Sequence, residues 1–477
     1  MKKIFIISII SIMTLGCAEI VDDLNQNPNN PTSAPYQYTL TSAQVANTII
    51  HTGFSARRAG ILAGQGTGLD RQHLVYTAHT VTTSSFNDTW DTTFRDVLRN
   101  ILLAKESLIE NSVEGVALGI TQVIQAMALG TATSLYGDIP FDQAGSLEFE
   151  NPEFETQLVV YGKVQSLLDQ AIANLSKGVG RPAAGADIHF DGDPGAWIQV
   201  AYTLKARYYM HNKDYSSAYT AAQSGIGSDG SADDNNMMTP HGTATDDANL
   251  NYQFFALASR KNDLVTSDFF ASLIDSDNGS NPIPTNYRGH AKTDETARNN
   301  YLLQISTLGI QPNCGTDGFA QIDAPGKIVT YAENQLILAE SGARASFNTG
   351  LTELNKFRSY MATGGYITNP DMSKLKYDPF VSTDFENGGI ENPDGISIND
   401  ALLREILEER YISLFGQIEV FNDLRRTQDE SSVRVPVEPS TGSSQPQRFL
   451  YPSTELDSNL NFPTTIPGFY DRTEVNK

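Results

Sequence analysis

Cysteine is almost absent from this sequence, and the residue spacings typical of metal sites are absent as well. The only two cysteines in 477 residues are Cys17 and Cys314, which excludes a disulfide framework and the paired CxxC motifs of a structural zinc site. None of the seven histidines falls in an HxxxH or HExxH spacing. We therefore expect no metal centre and no cofactor.

Basic residues are also few. The chain has 33 lysines and arginines against 56 aspartates and glutamates, and its formal net charge is -23. Because affinity for nucleic acid depends on clustered Lys and Arg, this balance argues against a nucleic-acid partner. It favours a neutral ligand over a polyanion, although a local basic patch can override the mean charge.

The sequence lacks the usual catalytic motifs, since it has no GxSxG nucleophile elbow and no phosphate-binding P-loop. Glu408 and Glu409 could be proposed as a glycosidase pair, but adjacent helix residues point about 100° apart and do not converge on one atom. Structural ion pairs fit better, with four arginines as candidate partners: Arg404, Arg410, Arg425 and Arg426. Asp138 suits a turn that fixes a helix end. These patterns predict a protein that is not an enzyme.

The N-terminus has the features of an export signal. Residues 1–16 join two lysines to an apolar run and end at Gly16, directly before Cys17. A cysteine after a small residue at this point indicates a bacterial lipobox, in which Cys17 becomes the acylated first residue. The alternative is an ordinary secreted protein with an unmodified Cys17. Residues 17–35 are too polar to pack and are predicted to be a flexible tether.

Helix pairs are the dominant pattern in the remaining sequence. Residues 197–226 predict two helices joined by a turn, with Asp214 as the N-cap of the second helix. Neither helix can bury its apolar stripe alone, which is typical of a tetratricopeptide-like unit. Further pairs are predicted at 38–55 with 92–111, 114–136 with 158–175, and 330–346 with 351–362, followed by a long helix at 402–415. We expect an all-α fold in which residues 36–477 form a single domain, with long loops such as 60–90 and 275–324.

Several stretches together resemble one family, the SusD/RagB-like outer-membrane glycan-binding lipoproteins. They are the lipobox at Cys17, LYGDIPFDQA from Leu135, AWIQVAYTLKARYYM from Ala196, YAENQLILAES from Tyr331, LNKFR from Leu354, ILEERYISLFGQIEVFNDLRRT from Ile406 and FLYPSTELDSNLNF from Phe449. The resemblance implies a scaffold of four tetratricopeptide-like helix pairs, covered by a loop-rich half that carries the ligand site. It also implies a lipid-anchored protein at the cell surface of the outer membrane, with a SusC-like TonB-dependent transporter as its partner.

Residues 71–90 supply the groups that sugar binding requires. A pyranose stacks on a flat aromatic face, and its hydroxyls bind planar polar groups. The candidate ligand-binding residues in this stretch, a region from which the family commonly uses aromatics, are Arg71, Tyr76, Phe86, Asn87, Asp88 and Trp90. For Trp90, packing in the core is an equally supported alternative. Trp197 is predicted to be a core residue.

Two other loops add candidates, namely Tyr252 in one loop and Tyr287 with Arg288 in the other. Large apolar groups in polar surroundings often mark a contact surface, but these residues could equally anchor their loops. The function that we expect is non-catalytic capture of an oligosaccharide or polysaccharide, such as the neutral glucan laminarin, for uptake. The alternatives are peptide capture as in the RagB branch, a tetratricopeptide scaffold for a protein partner, and a glycoside hydrolase.

Overall fold

The computed structural model describes residues 34–257, 259–276 and 283–477. The predicted signal peptide, Cys17 and nearly all of the predicted tether lie outside these ranges. The α-helices are α1 Tyr36–Thr48, α2 Phe54–Leu62, α3 Arg71–Thr77, α4 Asn87–Asp91, α5 Arg99–Glu110, α6 Val116–Tyr136, α7 Gln157–Leu175, α8 Pro194–His211, α9 Tyr215–Ala222, α10 Tyr252–Phe255, α11 Asp268–Ile274, α12 Thr296–Leu302, α13 Tyr331–Ala345, α14 Phe347–Ala362, α15 Ile398–Ser413, α16 Glu419–Arg426 and α17 Ser453–Ser458. The strands are β1 Gly66–Gly68, β2 Ile139–Pro140, β3 Phe154–Glu155, β4 Met237–Thr239, β5 Leu264–Thr266, β6 Thr293–Asp294, β7 Leu303–Ser306, β8 Gly309–Pro312, β9 Gly326–Val329 and β10 Lys376–Tyr377.

Four helix pairs form the scaffold. Helix α1 packs against α5, α6 against α7, α8 against α9, and α13 against α14. Neighbouring pairs are joined by contacts between α5 and α6, between α7 and α8, and between α9 and α13, and α15 then packs against α13. Each pair therefore buries the apolar stripe that the next pair leaves open. The predicted all-α fold with four tetratricopeptide-like pairs is confirmed.

The predicted hairpin at 197–226 forms as α8 and α9. The Asp193 side chain caps α8 by accepting from the backbone N–H of Ala196 at 3.0 Å, and Asp214 caps α9 by accepting from the N–H of Ser217 at 3.1 Å. Trp197 is fully buried, and its indole N–H donates to Asp187 at 2.7 Å. The predicted cap at Asp214 and the predicted core position of Trp197 are both confirmed.

Helix α6 lies at the centre of the core. It is the one helix in the described ranges that is long and apolar enough to cross a membrane, and 89% of its most apolar window is buried inside the protein. Gly130 allows α8 to approach closely, because a Cβ at this position would lie 2.3 Å from the ring of Tyr208. After α6, Gly137 has a φ of +96° and the Asp138 carboxylate accepts from the N–H of Gln157 at 3.0 Å, as expected of a turn residue.

Buried ion pairs connect the later helices. Glu340 on α13 accepts from both terminal nitrogens of Arg426 on α16 at 2.5 Å and lies 3.3 Å from Arg410 on α15. Glu409 pairs with Arg298 and Arg288, which come from the loop-rich half rather than from the four arginines suggested by the sequence. These carboxylates therefore hold elements together and are occupied by guanidinium groups.

The predicted long loops contain more regular structure than the sequence indicated. Residues 60–90 include the end of α2, β1, α3, a 3₁₀ turn and α4, and residues 275–324 include α12 and the β7–β8 hairpin. All strand pairs are short and antiparallel, and most of them connect segments far apart in the chain, such as β1 with β5 and β4 with β9. Ladders of two to four paired residues leave little periodic pattern in the sequence, which is why the sequence did not predict these elements.

Candidate functional site

The buried aromatic residues of the 71–90 segment lie in the core. Phe86 is completely buried and stacks on Phe449 with ring centres 4.3 Å apart, and the Tyr76 hydroxyl donates to the carbonyl oxygen of Ser85 at 2.7 Å. Trp90 is 4% exposed. Its ring centre lies 4.3 Å from that of Phe94, 5.1 Å from that of Tyr136 and 5.9 Å from that of Tyr451. A pyranose cannot stack on these three predicted ligand residues in this conformation, and for Trp90 the core alternative describes its position.

The polar candidates of the same segment lie at or near the surface. Arg71 is half-exposed and pairs with Asp263 at 2.7 Å, which ties α3 to the loop after α10. Asp88 has 47% of its side chain exposed and accepts from Arg58 at 2.6 Å. Asn87 is half-buried, and its side-chain oxygen has no hydrogen-bond partner among the described residues. The segment therefore presents polar groups outward and aromatic groups inward.

The remaining candidates have separate environments. Arg288 is 8% exposed and surrounded by carboxylates, with Glu405 at 2.7 Å and Glu409 at 3.1 Å. The ring of Tyr287 covers Gly289 and is half-buried. Tyr252 begins α10 and is half-buried. Arg288 thus anchors its loop to α15, whereas Tyr252 directly follows Asn251, which lines the cleft described next.

A narrow cleft lies between α2, β5 and the segments around residues 251, 319 and 416. It consists of two adjoining recesses that share Asn251, Phe319, Phe415 and Gly416, and we call it the Asn251 cleft. The first recess has a volume of about 40 Å³. Gly416 is required where it stands, because its φ is +74° and a Cβ would lie 2.9 Å from the Phe319 ring.

The polar groups of the cleft come from several elements. Arg57 on α2 and Thr266 on β5 line the first recess, and Lys327 on β9 and Gln417 line the second. At the base, the amide of Gln65 donates to the carbonyl oxygen of Tyr411 at 2.7 Å and accepts from the N–H of Gly416 at 3.2 Å. Polar and aromatic groups therefore converge at one cleft from segments far apart in the chain, from Thr52 to Gln417.

A wider groove runs along α1 and has a volume of about 1070 Å³. Its lining mixes small apolar residues with hydroxyl side chains, Gln37 and Asp96 are its planar polar groups, and Tyr38, which is 70% exposed, is its one aromatic residue. Because it offers few planar polar groups, we regard the Asn251 cleft as the better candidate for sugar contacts. In the described parts of the chain, no three His, Cys, Asp or Glu side chains are grouped so that they could hold a metal ion.

Sequence reasoning missed most of the cleft. Asn251 and Tyr252 fall in a loop that the sequence singled out, but Arg57, Lys327 and Gln417 lie on or beside regular elements with ordinary surroundings. The Arg57-Arg58 doublet is the one pattern among them, and it resembles the Arg425-Arg426 doublet, which is buried in the core.

Comparison with protein-family models gives one match. The model is described as starch-binding and associating with the outer membrane, and it matches residues 28–452, which is most of the chain. Among curated proteins, none matches the sequence.

Solved structures give the same result for the fold. A SusD homologue from Bacteroides uniformis is 17% identical with a TM-score of 0.65, and the alignment covers 92% of this chain and 99% of that chain. A SusD/RagB family protein from Bacteroides thetaiotaomicron is 18% identical with a TM-score of 0.63, covering 90% and 95%. A chitin-binding SusD homologue from Flavobacterium johnsoniae is 15% identical with a TM-score of 0.65, covering 92% and 98%. The helix-pair scaffold and the family-model match agree, and the chain belongs to the SusD-like family of outer-membrane-associated, cell-surface carbohydrate-binding proteins.

Proposed function

We propose that this protein captures an oligosaccharide at the cell surface and passes it to a SusC-like TonB-dependent transporter, without breaking any bond in the ligand. The observation that carries the proposal is the family-model match over residues 28–452. The two carboxylates considered for hydrolysis support a binding role instead, because Glu408 is paired with Arg288 and Glu409 with Arg288 and Arg298.

We place the ligand over the mouth of the Asn251 cleft. Of the sequence candidates, Tyr252 lies next to the cleft, and Arg71, Asn87, Asp88 and Tyr287 remain accessible contact residues in this proposal. Tyr76, Phe86, Trp90 and Arg288 then support the loops from within. Half-buried Tyr252 and Phe319 offer the aromatic faces on which a sugar ring can stack.

Two neutral ligands are the first to be tested. The net charge of -23 favours a neutral glycan, and a glucan such as laminarin is our candidate on that ground. A chitin oligosaccharide is the second candidate, because the Flavobacterium johnsoniae relative is described as chitin-binding. Peptide capture as in RagB-type proteins is the alternative function, and the family name alone supports it.

A titration panel tests the proposal. The purified chain is titrated calorimetrically with laminarin oligosaccharides, chitin oligosaccharides, charged oligosaccharides and short peptides. We expect saturable binding to at least one class of glycan and no release of reducing ends from it. Binding to peptides alone would replace the proposal with the RagB-type alternative, and release of reducing ends would restore the hydrolase hypothesis.

The anchoring of the protein is part of the same proposal. Residues 1–16 are removed as a signal peptide, acylated Cys17 holds the protein at the outer membrane, residues 17–35 act as a tether, and residues 36–477 form a single domain. Acyl chains attach a protein to a membrane surface without a spanning helix. The polar composition of the tether supports this arrangement, because it keeps the domain clear of the lipid.

A further inference from the structure

Arg57 lines the Asn251 cleft without a carboxylate partner among the described residues. Its Nη1 donates to the carbonyl oxygen of Leu250 at 3.0 Å, and its Nε is buried without a hydrogen-bond partner. The guanidinium carbon lies 3.7 Å from the centre of the Phe254 ring. The neighbouring Arg58, by contrast, pairs with Asp88. The chain has 56 acidic and only 33 basic residues, so carboxylate partners are plentiful. A partly buried arginine without one is therefore unusual in this protein.

Lys327 is a second cation of this kind. Within the described ranges its ammonium group forms no ion pair and no hydrogen bond, and it lies 4.1 Å from the ring centre of Tyr366 and 5.1 Å from that of Tyr301. The nearest acidic influence is Asp233, whose carboxylate already accepts from the Tyr360 hydroxyl at 2.7 Å. Burial lowers the pKa of Lys327 to about 7, despite the opposing effect of Asp233. An anion beside the ammonium group would favour its charged form.

Two buried side chains of the cleft also have free hydrogen-bonding atoms. Gln417 is 5% exposed, and neither atom of its side-chain amide has a partner among the described residues. The Thr266 hydroxyl, on a residue that is 4% exposed, is likewise unpartnered. Buried polar atoms are nearly always hydrogen-bonded in folded proteins, so their concentration here identifies a place where a ligand can bind.

Other arginines without a carboxylate partner behave differently. Arg425 donates to the carbonyl oxygens of Phe421, Gln447 and Ser134, and Arg448 donates to three backbone carbonyl oxygens at 2.8 to 2.9 Å. Backbone carbonyl groups thus satisfy these cations within the fold. Arg57 has only one such hydrogen bond, to the carbonyl oxygen of Leu250, and Lys327 has none among the described residues. Both residues are half-buried at the cleft.

The size of the cleft limits what can enter it. The first recess, with a volume of about 40 Å³, holds one small functional group but no sugar ring, and the adjoining recess that Lys327 lines is smaller, at about 10 Å³. The available groups are mainly donors, since Arg57, Lys327 and the Gln417 amide can all donate. A small group that only accepts hydrogen bonds and carries negative charge fits this set best.

We propose that the Asn251 cleft binds the carboxylate of an acidic oligosaccharide, a uronic-acid-containing glycan, with Arg57 lining the recess that the carboxylate enters and Lys327 lining the adjoining one. This inference rests on the proposed glycan-binding function and replaces its two neutral ligand candidates with an acidic one. The pyranose ring remains at the mouth of the cleft, and its carboxylate enters the recess. The net negative charge of the whole chain does not oppose this arrangement, because the charges nearest to the ligand are the two unpaired cations.

A matched pair of ligands tests the proposal on the full chain. Trigalacturonic acid and its fully methyl-esterified form share the sugar rings and differ in charge, and laminaritriose and a sulfated galactan oligosaccharide extend the comparison. We expect the acid to bind at least about tenfold more tightly than the ester, with the difference shrinking as salt is raised. The variants Arg57→Gln and Lys327→Gln should each lose about tenfold in affinity for the acid. The control Arg95→Gln, an exposed arginine paired with Asp96, should bind as the wild type does.

The possible outcomes separate the inference from the proposed function. Equal binding of acid and ester, or unchanged acid binding by both variants, would overturn the inference and leave glycan capture standing. Tighter binding of the sulfated galactan than of the acid would overturn the carboxylate assignment. If no glycan of any charge binds, the proposed function fails and the inference fails with it.

Thermal stability shows whether Arg57 and Lys327 bind the ligand or stabilise the fold. Neither side chain has an ionic partner among the described residues, and the variants lose only cation–π contacts and the Arg57 hydrogen bond to Leu250, so we expect both to have a Tm close to that of the wild type. A loss of Tm in both variants as large as that of Trp90→Ala would assign Arg57 and Lys327 to the framework and overturn the proposal.

Discussion

At the scale of single residues, burial separates side chains that look alike in the sequence. Aromatic residues in a Thr- and Ser-rich stretch suggest a sugar platform, yet Phe86 and Trp90 form a continuous aromatic cluster with Tyr136, Phe449 and Tyr451. The buried hydroxyl group of Tyr136 is hydrogen-bonded within the same cluster, because it donates to the carbonyl oxygen of Phe86 at 2.9 Å. The 71–90 segment is therefore fixed from beneath by its aromatic residues.

Trp90→Ala should destabilise the protein strongly. Removing a large, buried aromatic side chain leaves a cavity, and we expect the free energy of unfolding to fall by about 3–5 kcal/mol. Urea denaturation measures this loss, and the control Tyr38→Ala, at a residue that is 70% exposed, should change stability by less than about 0.5 kcal/mol. A Trp90→Ala variant that keeps its stability but loses glycan binding would return Trp90 to the ligand site.

At the scale of elements, buried ion pairs determine how the last helices meet the scaffold. Glu340 connects α13 to α15 and α16, and Glu409 connects α15 to Arg288 and Arg298 in the loop-rich half. Breaking such a pair leaves an uncompensated buried charge, which costs far more than losing a surface pair. The carboxylates are therefore essential to the packing of these helices.

Glu340→Gln should lower the free energy of unfolding by about 3–5 kcal/mol at pH 7. Burial alone would raise the pKa of Glu340, but the guanidinium groups of Arg426 and Arg344 outweigh it and lower the pKa to about 2. Because the folded pKa lies below the ordinary value of 4.5, the stabilisation is complete above about pH 4.5 and is lost as the pH falls towards 2.

Urea unfolding at pH 7 and pH 3 tests this expectation. The wild type should lose stability between these pH values, and Glu340→Gln should lose less because its side chain does not titrate. Glu114→Gln is the matched control, since Glu114 has 73% of its side chain exposed and pairs with Lys177 at the surface. An unchanged acid sensitivity in Glu340→Gln would show that other carboxylates control acid unfolding.

At the scale of the whole molecule, the fold separates scaffold from recognition. The helix pairs stack in chain order, while the Asn251 cleft is assembled from α2, β5, β9 and the turn after α15. A surface built from segments so far apart can change its ligand groups without disturbing the stack. The family to which the chain belongs is associated with the outer membrane, on the cell surface.

Cys17→Ala should release the protein from the membrane. If Cys17 carries the acyl chains, the wild type will fractionate with the outer membrane and the variant will be soluble after cell lysis. Cys314→Ala is the matched control, because Cys314 is a half-buried free cysteine within the folded domain and should not affect fractionation. Membrane association of the Cys17→Ala variant would contradict the lipid anchor.

A structural feature can be predicted from the sequence when the residues that produce it are close together in the chain. The hairpin at α8 and α9 could be predicted because capping and apolar periodicity act within one or two helical turns. The short strands could not, because β1 and β5 pair across 198 positions and carry no periodic signal of their own. The cleft was the least predictable feature, since Arg57 and Lys327 look like any surface cations until their lack of carboxylate partners is known.

The sequence by itself determined the all-α class, the four helix pairs, the core position of Trp197 and the family. These features depend on local periodicity and on motifs of residues that are close together in the chain. The tertiary structure alone decided that Trp90 packs in the core, that Arg288 forms ion pairs with carboxylates of α15, and that Arg57 and Lys327 line one cleft. Burial and ion pairing depend on what the folded chain brings within a few ångströms, and no spacing along the sequence records those distances.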